Sequence, residues 1–372
     1  MTDFEIEVRN SGGDYTSIVA AESALDENIT AADIKVFSFD ANTGTIPDGT
    51  AVTTDGGSTT GVCVHQSVGG QILIKTIAGG TFDDNDVVTD GTNSVTLYDS
   101  GDGASVLIII YDDQTISTYT DFAGAACDTT NKFIIRGDSS SWDGTTANAV
   151  KITSSSELRL NENYYVEYLY VLASSSNYPI GIHSVTAQYW KNIIVEDGGI
   201  SIYNAGNTQL VNVVIINPAV NGIHNGSDSW GNVYVYDSTI VGAGTYGVYD
   251  HVAGWRNQGV RLYNTVVAGS GTADIEQDDQ GTLQFCDYVA TSDSTATDCG
   301  ENTETYTLTG IDSDDLTYST GLIKSGSALI DVGNDYSATT GIDIDITGDT
   351  RSGTWDIGAD EYVTRNRLMI IQ

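Results

Sequence analysis

KNIIVED (191–197), LVNVVIIN (210–217), VYDSTIVG (235–242), RLYNTVVAG (261–269) and FCDYVATS (285–292) decide how this chain is read. Each sets one Asn or Asp in a run of strand-forming residues: Asn192, Asn212, Asp237, Asn264 and Asp287, at intervals of 20, 25, 27 and 23. A second series interleaves with it. Gly181-Ile182-His183, Gly199-Ile200-Ser201, Gly222-Ile223-His224 and Gly247-Val248-Tyr249 recur at intervals of 18, 23 and 25.

Two signatures thus share one period, and a unit this short has no room for a propeller blade or a helix pair. It fits one turn of a right-handed parallel β-helix, a solenoid whose coils each lend two or three short strands and bury apolar surface only by stacking on the next coil. Asn and Asp suit the bends because they tolerate left-handed backbone, and at equivalent positions an amide can bond to its neighbour in the next coil. Asn192, Asn212, Asp237, Asn264 and Asp287 are read as that turn column. Ordinary surface turns would use the same residue types.

Composition agrees with an all-β chain. The 372 residues include 41 glycines and three prolines, and 40% are hydrophobic, enough for a large core. Fifty-one acids against 14 bases give a net charge of −37, which repels nucleic-acid phosphates. Of the acids 39 are Asp and 12 Glu, so much of the charge marks turns and caps. No run is long and apolar enough to span a membrane, and MTDFEIEVRNSGGDY has no signal-peptide core, which argues against export by the general route. Cys63, Cys127, Cys286 and Cys299 are too sparse for a disulfide framework; Cys286 and Cys299 are a conceivable pair, and buried free thiols the leading expectation.

Along the chain, residues 1–31 read as an N-terminal capping segment whose 14–25 stretch forms a short helix, with Ile18, Ala21 and Leu25 on one face and Asp14 or Thr16 as cap. Residues 32–103 read as a small β module inserted in the first coils, 104–320 as the β-helix, 321–362 as a C-terminal capping segment and 363–372 as a contact tail. The tail, with Arg365 and Arg367 before Leu368, Met369, Ile370 and Ile371, is suited to pairing with a neighbour.

The closing stretch contains Ser327-Ala-Leu-Ile-Asp331-Val-Gly333, Asp345-Ile-Thr-Gly348-Asp-Thr-Arg351 and Asp356-Ile-Gly358-Ala-Asp-Glu361. It resembles the D-I-G-A-x-E ending of pectate-lyase-like parallel β-helix proteins; one departure is Ala328 where that ending has proline. The resemblance implies that Asp331, Arg351, Asp356, Gly358 and Glu361 organise a cap over the open end of the solenoid, with Arg351 paired to Asp356 or Glu361. A metal or catalytic cluster among Asp343, Asp345, Asp349 and Asp356 is the lesser reading. Residues 70–97 are also similar in texture to small β modules of phage structural proteins.

Catalysis on such a scaffold needs paired acids, or calcium-binding acids with a basic residue. Glu196, Asp197 and Asp237 are the nearest candidates, though no spacing isolates a pair and Asp-rich turns explain them as well. His183, His224 and Tyr249, with Ser201 between, are expected to form one column able to meet carbohydrate; satisfied turn histidines are the alternative. The tyrosines and tryptophans, Tyr234, Tyr236, Trp190, Trp230 and Trp255 among them, offer stacking surface or simple strand packing. Nucleotide, zinc and serine-hydrolase motifs are absent. The expectation is a virion structural protein of a tailed phage, a decoration, spike or fibre assembled in the host cytoplasm. It would contact capsid or tail subunits and host polysaccharide, most simply as a trimer, without cofactor unless calcium. The competing expectation is a polysaccharide-degrading enzyme acting outside the cell.

Overall fold

The computed structural model describes residues 2–24, 34–99, 101, 104–122, 133–140, 142–161, 164–183, 188–203, 206–226, 231–251, 259–277, 285–298 and 307–362. It is nearly all β, 49% strand and 4% helix. The larger sheet runs through Thr2–Val8, Ala104–Ile110, Phe133–Gly137, Tyr164–Ala173, Gln188–Glu196, Thr208–Ile216, Val233–Val241, Val260–Ala268, Phe285–Thr291 and Thr307–Thr309, every neighbour parallel. A narrower parallel sheet takes Thr120–Phe122, Leu158–Leu160, Ile180–Ile182, Ile200–Ile202, Ile223–Asn225, Tyr246–Asp250 and Ala273–Gln277. From residue 158 to 291 the chain alternates between the two sheets, and one core fills the space they share, with Trp190, Ile193, Ile200, Leu210, Val213, Ile223, Val235 and Val248 in it.

The first strand, Thr2–Val8, belongs to the larger sheet and pairs with Ala104–Ile110. Residues 1–31 are therefore more than a cap. Between those partners the chain makes a closed antiparallel barrel from Ile34–Asn42, Ala51–Thr54, Thr60–Gln66, Gln71–Ala78, Val87–Thr89 and Ser94–Leu97, with a core of its own around Phe37, Ile72, Ile74 and Phe82. The helix spans Ile18–Ala24 and buries Ile18 and Ala21 against the first strands. Ser17, not Asp14 or Thr16, caps it, its Oγ accepting the Ala20 N–H at 3.1 Å. No helix among the described residues is long and apolar enough to cross a membrane.

Each long strand bends once. Tyr168, Asn192, Asn212, Asp237, Asn264 and Tyr288 share one register position, and φ at all six lies between 46° and 58°. The column expected from sequence is corrected at its end: Asp287 pairs with Tyr263, and Tyr288 holds the left-handed position. Within the column, Asn212 Nδ2 donates to Asn192 Oδ1 at 3.1 Å and Asn264 Nδ2 to Asp237 Oδ1 at 2.9 Å. Tyrosines occur only at the two ends, where an amide would have a bonding neighbour on one side alone. Tyr168 packs edge-on to Trp142, and Tyr288 against the apolar cluster beneath the C-terminal segment.

Beyond the bend both faces of the larger sheet are covered. Ile193, Val213 and Val267 point into the core, while Ile194, Val214, Ile216, Val241 and Val266 meet Leu316 and, from the C-terminal segment, Leu329, Ile346, Ile357 and Ala359. That segment crosses the strands as a strap on the sheet's outer flank, from Asn264, bonded to the Asn334 carbonyl, through Asn212, bonded to that of Ile344 at 2.7 Å, to Trp142, bonded to that of Ile346 at 2.8 Å. The expected cover over an open end is thus corrected to a cover over a face, because the apolar stripe it matches runs across the strands of the larger sheet.

Arg351 organises the strap's turn. It is 4% exposed, donates to the Gly358 carbonyl at 2.9 Å, and pairs with Glu361 at 3.4 Å. Asp356 accepts the N–H groups of Asp331 and Tyr362 instead of binding Arg351. Gly358, at φ 126°, lets its N–H reach the Asn264 carbonyl at 2.9 Å. One expectation on cysteine is overturned: Cys286 is disulfide-bonded, its partner lying outside the described residues, whereas Cys63 is free and buried.

Asp237 is 1% exposed, and burial pushes its carboxyl up to about 6 despite Arg351 nearby. Asn212, its column neighbour, has a buried Oδ1 without a donor, which a protonated Asp237 would supply. A carboxyl raised on folding contributes its stability fully below its unfolded pKa, about 4, and loses it as pH rises through about 6. Asp237→Asn keeps the donor at every pH. Denaturant titration should find this variant about 2 kcal/mol more stable than the parent at pH 8, with the gap closing toward pH 4.

Candidate functional site

The acids singled out in the sequence do not converge. Glu196 is half-buried and accepts the Tyr170 hydroxyl, Asp197 is exposed, and Asp237 lies beneath the strap. Glu196 aligns through Ile216 with Val241, four residues past Asp237 and two strands away. Glu167 is 4% exposed and holds Arg136 and, at 2.7 Å, Lys191, so the Arg-Gly-Asp triplet at 136–138 is tied into the sheet.

The histidine series is brought together, though in a different register from the one expected. Gly181, Ser201, His224, Tyr249 and Glu276 align across the narrow sheet. His183 therefore lies two residues beyond that column, because Pro179 occupies the position that Gly199, Gly222 and Gly247 hold in later strands. Ring contacts close the gap. His183 stacks on Tyr203 with centroids 5.4 Å apart, Tyr203 meets His224 edge-on at 5.6 Å, and His224 stacks on Tyr249 at 5.4 Å. Tyr178 packs against His224 at 5.5 Å, and Tyr246 and His251 extend the stripe from Tyr249 at 5.1 and 5.8 Å.

Beside this stripe opens a cleft of about 540 Å³ bordered by Glu157, Arg159, Tyr178, His183, Ser201 and Tyr203. His183 Nε2 lies 2.9 Å from Glu157 Oε1, and Arg159 Nε 3.7 Å from the same oxygen. The His183 bond holds the Glu157 carboxyl below its usual range. Arg159 also lies over the Tyr119 ring at 4.9 Å. Tyr178 accepts the Asn221 side-chain N–H at 2.9 Å, and burial raises its hydroxyl to about 12, so it stays a neutral donor. Apolar ring faces, one carboxylate, one guanidinium and hydroxyls thus line one opening.

Sequence reading missed Glu157, Arg159, Tyr178 and Tyr203. Glu157-Leu158-Arg159-Leu160 did carry a signal, since alternation puts Glu157 and Arg159 on one face with Leu158 and Leu160 inward. The tyrosines of the larger sheet serve differently: Tyr236 stacks on Tyr263 at 4.6 Å, and Tyr336 of the strap packs on both. Trp230 and Trp255 lie outside the described residues, and Trp190 is in the core. Among the described residues no three His, Cys, Asp or Glu side chains are grouped to hold a metal ion.

No protein-family model and no curated protein matches this chain.

Burial, then the neighbouring His251, lowers the His224 pKa below 6.5. A histidine depressed on folding contributes stability above its unfolded pKa and loses it as pH falls through the folded value. An NMR titration should find His224 protonating below the ordinary imidazole value of 6.5. In His251→Gln its midpoint should move partway back up.

Proposed function

We propose that this protein is a parallel β-helix whose narrow sheet presents a glycan-binding stripe, and that it works as an adhesive structural component of a tailed-phage particle. The winding is supported by the alternation of the chain between two parallel sheets over one core. Adhesion rests on one observation: the His183–Tyr203 ring pair stands beside Glu157 in an open cleft. Sugar rings present C–H faces that stack on aromatic rings, while their hydroxyls bond to carboxylates, guanidinium groups and tyrosine O–H groups. Hydrolysis of a glycoside ordinarily takes two carboxyl groups about 5–9.5 Å apart. Glu157 is the single carboxylate among the described residues that border the cleft, which favours holding a sugar over cutting it.

Placement on a virion, as decoration, spike or fibre against capsid or tail subunits, is drawn from the resemblance of residues 70–97 to phage β modules. A solenoid suits such a load because each coil is bonded to the coils beside it. Residues 363–372, suggested as a contact tail, lie outside the described residues.

The test is an array of bacterial surface polysaccharides probed with the full chain. Binding that Tyr203→Ala and Glu157→Gln each weaken about tenfold or more, with no new reducing ends, supports the proposal. Release of oligosaccharides would instead support the enzymatic alternative, and an inert array would remove the adhesive role. Absence of the polypeptide from purified particles would remove the virion assignment.

A further inference from the structure

The barrel carries apolar surface on its outside as well as in its core. A groove of about 660 Å³ opens over Ala51, Thr53, Thr60, Val62, Ile77 and Thr89, with Asp90 at one end. Alternation along Ala51–Thr54 turns Val52 into the barrel core and leaves Ala51 and Thr53 outward. Ile77 is 62% exposed, although Ile72 and Ile74 of the same strand are buried. The barrel interior is already filled by Phe37, Ile72, Ile74 and Phe82, so these outward methyl groups do nothing for its own core.

Strand order gives the groove a direction. Ile77, Val62, Ala51 and Thr89 stand on four successive strands of the barrel, so three strand spacings, about 14 Å, separate the Ile77 end from the Asp90 end. Asp90 is held there as an anion. Its Oδ1 accepts the N–H groups of Asn93 and Thr92 at 2.6 and 2.7 Å, which keep the carboxyl below its usual range. Such a groove fits an extended segment with apolar side chains at one end and a cation about 14 Å away.

Residues 363–372 have that pattern. They hold Arg365 and Arg367, two of the chain's 14 bases, and no acid, followed by Leu368, Met369, Ile370 and Ile371. In an extended segment Arg367, Met369 and Ile371 share one face, with Arg367 about 13 Å from Ile371. Laid across the strands, such a face sets Ile371 over Ile77, Met369 over Val62 and Ala51, and Arg367 at Asp90. The basic pair also draws the segment toward a surface that is otherwise acidic. Its own barrel is out of reach. The strap bonds to Thr239 through the Ala359 N–H, and the strand of Thr239 lies six spacings, about 29 Å, from Thr2–Val8. The barrel sits past that edge, where Gln71 accepts the Glu5 N–H, and Ile77 lies about 20 Å farther along the same barrel strand. From Tyr362, whose N–H bonds to Asp356 within the strap, the six residues to Leu368 cover at most about 22 Å.

We infer that the groove on the barrel receives residues 363–372 of a second copy of this chain, joining copies tail to barrel. Because the two surfaces differ, the contact repeats head to tail and closes into a ring where the rotation allows. This inference and the glycan-binding reading of the Glu157 cleft stand independently.

Sedimentation of the full chain over a range of concentrations tests it. The chain should run as an oligomer, and Ile77→Asp and Ile371→Asp should each weaken self-association about tenfold or more. Should Ile77→Asp fail to fold, Thr60→Asp in the same groove takes its place. An excess of a synthetic peptide of residues 363–372 should dissociate the oligomer, and the same peptide carrying Arg367→Glu should need about tenfold more. A monomeric full chain overturns the inference, as does an oligomer indifferent to Ile371→Asp. Self-association that survives the groove substitution, or equal potency of the two peptides, overturns it too, because the tail would then dock elsewhere.

Discussion

The structure depends on a backbone conformation that most side chains avoid. Six parallel strands leave the extended region at the same register position, and at the inner four the residue is Asn or Asp. Left-handed backbone costs an ordinary residue roughly 1–2 kcal/mol, which a short polar side chain offsets by bonding locally or to its neighbour. Here those side chains bond along the column and outward to the strap, so one position sets the bend, aligns successive strands and anchors the C-terminal segment. A slip of a single residue would turn Ile193 and Val213 from the core to the strap side and break the column at once.

The bend also explains why the two flanks of the protein differ. Past it, the larger sheet is apolar on both faces, as a parallel sheet covered on both sides must be, and runs such as VVII in 213–216 lose all alternation. The strap answers that second apolar face. The C-terminal segment does not reach the narrow sheet's outward column, which holds His224 and Tyr249 among others, with His183 and Tyr203 just past the strands. Ring surface there faces outward instead of being used up by the chain itself, which is what makes this flank the binding candidate.

How much of this was legible in the sequence follows from what each feature requires. The ladder residues Asn192, Asn212, Asp237 and Asn264 were readable because αL backbone restricts residue type, and such restriction survives as a repeated letter. Its ends were not, since Tyr168 and Tyr288 bring no side-chain amide to the ladder and pack their rings instead. The histidine column was misaligned by two residues because Gly181 imitates the later glycines while Pro179 occupies their place. Glu157 and Arg159 were passed over because the strand at Leu158–Leu160 lies outside the repeated signature. The strap was visible as a motif, yet its destination depends on which face of the sheet is apolar beyond the bend, and no spacing within 327–361 carries that.

The acidity of the chain divides into two kinds with opposite physical meaning. Surface aspartates such as Asp90 and Asp143 accept nearby N–H or hydroxyl groups that lower their pKa, and they cap turns as ions. Asp237, Asp250, Asp360 and Glu361 sit where burial raises the pKa to about 6, 6, 6 and 7, each receiving a backbone or amide donor that would otherwise be stranded. The first kind gains stability once pH exceeds the ordinary carboxylate range; the second loses it as pH rises through 6 to 7. The net charge of −37 is therefore a poor guide to the interior. Buried acids serve as acceptors that a proton can turn into donors, and three of the four, Asp237, Asp360 and Glu361, lie in or under the strap that closes the larger sheet.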